Sequence, residues 1–144
     1  MDLQQGREAA TMRVTLERDP LAPALARAAV AGFSREWEIT PDSLETLALL
    51  VSELVSNAVV HSDAPATSDI HLCARVLDRD AIRIEVTDEG SGFLATPRDP
   101  TRLDGGYGLF LVDSQATSWG IDRRFGNCVW FEVVERPSAG SDSA

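Results

Sequence analysis

Residues 41–61, PDSLETLALLVSELVSNAVVH, constrain this chain more than any other segment. Thr40 precedes Pro41 as a helix cap, proline suits the first helical position, and no glycine or further proline interrupts the run up to about Val60 or His61. The spacing predicts one long helix, apolar at Leu47, Leu50, Val51, Leu54, Val55, Ala58, Val59 and Val60 and relieved chiefly by Ser52 and Ser56. Glu53, Asn57 and His61 break this background at four-residue steps. Four residues advance about 400° around a helix, so the three drift by only about 40° per step and form one narrow stripe. An unpaired buried polar group costs about 1–3 kcal/mol, so the stripe faces water in a cleft, specific partners, or the solvent at a plain helix edge.

The 144 residues suit one domain with a core of ordinary size. Residues 1–10 and the tail from 137 to 144 are small and polar and are expected to be flexible, leaving 11–136 as the folded unit. TMRVTLE (11–17) alternates Met12, Val14 and Leu16 with polar residues, as a half-buried strand does. Asp19-Pro20 opens a helix running to Trp37, with Leu21, Leu25, Ala28, Ala29 and Phe33 near helical spacing. After the long helix, IHLCARVL (70–77) and IRIEVTDEG (82–90) alternate around the turn DRDA and read as a hairpin. Residues 93–106 read as a long loop, GLFLVDSQA (108–116) as a short helix, and SWGIDRR and CVWFEVV as two more strands. Three helices and five strands imply a two-layer α/β sandwich of the α+β kind, with a mixed, mainly antiparallel sheet and helices on one face.

Two more segments carry possible chemistry. In IRIEVTDEGSGF, Asp88 is in phase with Ile82, Ile84 and Val86, so a carboxylate continues the buried face of its strand. Such a group requires strong donors. The exocyclic amine of adenine is one, whereas guanine offers a carbonyl there. Gly90 and Gly92 let the backbone approach a flat ligand, although the same residues make an ordinary turn. In DGGYGLFLV, Gly105, Gly106 and Gly108 lead into an apolar helix, where exposed amides and the helix dipole suit phosphates; loops and caps use the same residues.

A formal charge of −10 argues against a nucleic-acid surface, and the longest unbroken apolar runs, such as LALLV, argue against a membrane span. The expectation is a soluble, cytoplasmic protein. All thirteen cations are arginine, so a phosphate loop that depends on lysine is excluded. Cys73 and Cys128 form no CxxC pair and are expected to be reduced thiols on the open sheet face; with His61 and His71 they make a poor metal set. EGSGF lacks the spacing of a serine nucleophile elbow. Trp119 and Trp130 are expected to pack against the sheet rather than anchor a partner.

In order and spacing, ELVSNAVVH, DEGSGF and GGYGL resemble the N box and the two glycine boxes of the GHKL ATPase and kinase superfamily, across about residues 12–135. Its nucleotide site is the Bergerat fold. Short length and a closing VWFEV strand resemble the anti-sigma factor serine/threonine kinases abundant in actinobacteria. The resemblance implies ATP and Mg²⁺ as cofactors, with Glu53 as general base and Asn57 as the metal ligand against the phosphates. It also implies Asp88 on the adenine amine, Gly90 and Gly92 shaping the pocket, and Gly106 and Gly108, followed by Leu109, covering the phosphates. The implied partners are a sigma factor and an anti-sigma antagonist protein, with a homodimer in many relatives and with nucleotide binding without transfer as the alternative activity. Asp104 stands where several relatives carry a basic residue or a small hydroxyl. Cys128 is matched to a threonine that many relatives place near the adenine.

Overall fold

The computed structural model describes residues 11–62, 64–77, 80–90, 107–124 and 126–135. Expectations for the two termini, for the loop at 93–106 and for Gly92, Asp104 and Gly106 lie outside these residues, as does the side chain of His61. The elements run β1 (Thr11–Glu17), α1 (Ala22–Glu36), α2 (Pro41–His61), β2 (Asp69–Leu77), β3 (Ala81–Asp88), α3 (Tyr107–Gln115), β4 (Ser118–Asp122) and β5 (Asn127–Val134). The strands form one sheet in the order β1-β2-β3-β5-β4. All its described pairings are antiparallel, the limiting case of the mainly antiparallel sheet expected from the sequence.

Alternation along the strands places Ile70, Leu72 and Ala74, then Ile82, Ile84 and Val86, then Val129, Phe131 and Val133 in the core, where they meet the helices. α2 contributes Leu47, Leu50, Val51, Leu54, Val55 and Ala58 to the same core. By length and composition its 20-residue stretch Pro41–Val60 is apolar enough to cross a membrane, a property that counting unbroken runs does not reveal. In the fold it is the central core helix.

α2 starts where its sequence says it should. Thr40 is extended and its Oγ1 accepts the Ser43 N–H at 3.3 Å. The Glu135 carboxylate, just past β5, accepts the Thr40 N–H at 3.0 Å and its hydroxyl at 3.3 Å, tying this start to the sheet. Near its other end, the Arg18 guanidinium donates to the Ala58 carbonyl and, at 3.4 Å, to Ser68 Oγ.

α1 corrects the sequence reading. Its buried face is Ala22, Ala26, Val30, Phe33 and Ser34, while Leu21 and Leu25 are 66% and 52% exposed and Ala28 also faces solvent. Small side chains let α1 lie close to its neighbours, and helical spacing alone does not distinguish that stripe from the bulkier one beside it.

Candidate functional site

The inward ends of β3 and β5 meet α2 at a narrow cleft lined by Leu54, Asn57, Ala58, Val86, Asp88, Leu109, Asn127 and Val129. Pairing puts Asp88 directly opposite Asn127, and both are buried, at 4% and 5% exposure. Two rungs deeper, on the same face, Val86 opposes Val129, so the polar pair is backed by an apolar floor. α2 supplies Asn57 from its polar stripe, and the first turns of α3 supply Leu109.

Asp88 is held by its own side of the cleft. Its Oδ1 accepts the Gly90 N–H at 2.6 Å and the Ser62 hydroxyl at 3.1 Å, and Ser62 Oγ accepts the Ala64 N–H at 3.1 Å. Among the described residues no donor reaches Oδ2. Gly126, with φ of 99°, passes so close that a Cβ there would sit 2.8 Å from the Asp88 carbonyl oxygen. A side chain at 126 would therefore both strain the backbone and push the strand ends apart. Asn57 Nδ2 is buried without a hydrogen-bond partner. An orphaned amide nitrogen in one cleft with a carboxylate oxygen that no described residue fills suits a ligand with both acceptor and donor groups, since each atom otherwise carries a desolvation cost.

Of the residues singled out in the sequence, the structure brings Asn57, Asp88 and Leu109 together in the cleft, with Gly90 buried beside them. Gly108 lies in the first turn of α3. Glu53 is half-buried one turn before Asn57 and does not line the cleft. The match of Cys128 to an adenine-side threonine is corrected: Cys128 pairs with Thr87 on the opposite face of the sheet, and Asn127 is the neighbour of Asp88. A one-residue shift along a strand exchanges its faces, and the Val129, Phe131 and Val133 alternation was the signal that assigns Asn127 inward. Ser62 and Gly126 also escaped the sequence reading, because both act through contacts with a residue distant in the chain.

The open sheet face is occupied, among the described residues, by ion pairs and packed aromatic rings. Arg75 and Arg83 pair with Glu85 at 2.9 and 2.8 Å, Arg83 also reaches Glu132 at 2.8 Å, and its guanidinium lies 4.1 Å from the Trp130 ring centroid. Trp130 in turn covers Gly120. Trp119 packs inward and donates its indole N–H to Asp113 at 2.9 Å, so both tryptophans serve packing. Cys73 and Cys128 are free thiols, raised above the usual thiol range chiefly by burial, and no metal-holding group of His, Cys, Asp or Glu occurs among the described residues.

The model of the histidine kinase-like ATPase domain matches residues 16–133. The chain belongs to this family. Membership implies ATP as the nucleotide. Among curated relatives, an anti-sigma F factor of Clostridium acetobutylicum is 37% identical over 67 residues, covering 46% of each chain. A serine-protein kinase RsbW of Staphylococcus epidermidis is 32% identical over 104 residues, covering 62% of this chain and 65% of the relative. The chain thus spans about half to two thirds of these relatives. A crystal structure of RsbU and RsbW domains from Mycobacterium tuberculosis superposes with a TM-score of 0.70 at 20% identity, over 89% of this chain and 33% of that one. A histidine kinase domain from Erythrobacter litoralis gives 0.56 at 19% identity, over 91% of this chain and 69% of that one. These structural likenesses place the ATPase domain in the same fold.

Proposed function

We propose that the cleft between α2, α3 and the ends of β3 and β5 binds ATP, and that the chain is a cytoplasmic anti-sigma factor of the serine/threonine kinase type. The observation that carries the reading is the buried Asp88, with Oδ1 saturated and Oδ2 without a donor among the described residues, facing the same cleft as the unpartnered Asn57 Nδ2. An ionised carboxylate accepts from the 6-amino group of adenine and repels the 6-oxo group of guanine. Gly90 shapes the adenine end, with Gly92 beyond it in the chain, and Leu109 adds apolar contact. Gly106 and Gly108 supply backbone amides to the phosphates.

Asn57 would hold Mg²⁺ through its amide oxygen, since this ion takes few protein ligands, and the ion would neutralise phosphate charge. Glu53 accepts the proton of a serine or threonine hydroxyl on an antagonist protein. The hydroxyl oxygen bonds to the γ-phosphorus, the bond to the bridging oxygen breaks, and ADP leaves. A sigma factor is the second partner, held by a chain that acts without contacting nucleic acid or membrane, alone or as a homodimer. The names of the curated relatives, an anti-sigma F factor and a serine-protein kinase, support a sigma factor and a serine-bearing protein as these partners.

A second reading is a nucleotide-responsive binding module without transfer, favoured by the position of Glu53 outside the cleft lining. The test is transfer of labelled γ-phosphate to a candidate antagonist protein that carries a serine or threonine acceptor. The kinase reading expects transfer by the unmutated chain and a loss of at least about a hundredfold with Glu53→Ala. Equal transfer by the variant removes Glu53 from the mechanism. ATP binding without any transfer selects the binding module.

A further inference from the structure

The two oxygens of Asp88 are treated differently, and a residue outside the three boxes is responsible. Ser62 is the C-cap of α2, with extended backbone at φ −75° and ψ 144°. Its Oγ accepts the Ala64 N–H at 3.1 Å and lies 3.1 Å from Asp88 Oδ1. An amide N–H only donates and an ionised carboxylate only accepts, so the one hydroxyl proton is directed at Asp88. Together with the Gly90 N–H at 2.6 Å, this saturates Oδ1 and fixes the plane of the carboxylate. Oδ2 is left without a donor among the described residues, in a cleft that Asp88 lines.

We propose that Ser62 is a specificity-determining positioning residue, which holds Asp88 so that Oδ2 is presented to the 6-amino group of adenine. The inference rests on the nucleotide reading above. It links the helix that carries Asn57 to the strand that carries Asp88 through one hydroxyl. Without that proton the carboxylate keeps a single donor among the described residues and can turn about its Cβ–Cγ bond, and Oδ1 is left seeking a partner. Ordering it again then weakens the contact with the amine.

The experiment couples a residue deletion to a ligand deletion. The intact chain, Ser62→Ala and Ser62→Thr are titrated with Mg-ATP and with the Mg complex of purine riboside triphosphate, which lacks the 6-amino group. Ser62→Ala is expected to bind ATP about tenfold more weakly while its affinity for the amine-free analogue stays unchanged, and Ser62→Thr is expected to restore ATP binding. A loosened loop would weaken both ligands alike, so equal losses overturn the inference, as does ATP binding that Ser62→Ala leaves intact. Ser62→Cys, a poor donor of similar shape, provides the same comparison if the alanine variant fails to fold. Failure of the unmutated chain to bind ATP overturns the nucleotide reading itself, a result distinct from binding without coupling.

Discussion

At the scale of single residues, chemistry here is decided by which face of the sheet a side chain occupies. Asp88 and Asn127 end their strands inward, while the adjacent Thr87 and Cys128 end up on the open face. Cys128 is raised from the usual thiol value of 9.0, first by burial, and Cys73 likewise by burial and then by the Glu85 charge. A thiol whose folded pKa is raised contributes stability that is fully present below its unfolded pKa and is lost as pH rises through the folded one. In reducing buffer the denaturant midpoint is therefore expected to fall as pH rises above the usual thiol value and through the raised folded ones, and to fall less in a Cys73→Ala/Cys128→Ala double variant. Parallel pH profiles for the two proteins would refute this. The phase of Asp88 was legible from Ile82, Ile84 and Val86. The roles of Ser62 and Gly126 were not, because neither forms part of a periodic pattern and each meets Asp88 only through the fold.

Among the elements, α2 has the clearest local specification and the most consequential long-range support. Its cap, its N1 proline and its apolar circumference are written in adjacent residues, which is why its bounds agree with the sequence reading. The Glu135 carboxylate on the Thr40 N–H lies 95 positions away and has no local signature. Thr40→Ala removes both the acceptor for the Ser43 N–H and the donor to Glu135, and urea unfolding is expected to show a loss of about 1 kcal/mol, with Thr40→Ser near the unmutated value. Loss of the same size in the serine variant would show that the methyl group, not the hydroxyl, matters. α1 is the contrasting case: two overlapping stripes satisfy helical spacing, and its contact with the layer beneath selects the one headed by Ala22 and Ala26 over the one headed by Leu21 and Leu25.

For the whole molecule, the cleft is a joint between elements rather than a feature of any one, since α2, β3, α3 and β5 each contribute a wall. A ligand that bridges them stabilises the fold by mass action. Mg-ATP at about one hundred times its dissociation constant is expected to raise the unfolding free energy by about 2.7 kcal/mol, and Asp88→Asn to abolish the gain at the same concentration. Thermal unfolding with and without nucleotide measures both; a full gain in the variant would remove Asp88 from the site. The sequence by itself determined the elements, their order, the inward phase of Asp88 and the one stripe that Asn57 shares with Glu53 and His61, because helical and strand periods and caps are properties of neighbouring residues. Only the tertiary structure decided that β5 lies between β3 and β4, that Asn127 rather than Cys128 stands beside Asp88, and that Ser62 closes on its carboxylate. Those choices depend on strand register and on burying whole faces against each other, which joins residues far apart in the chain and leaves no local trace.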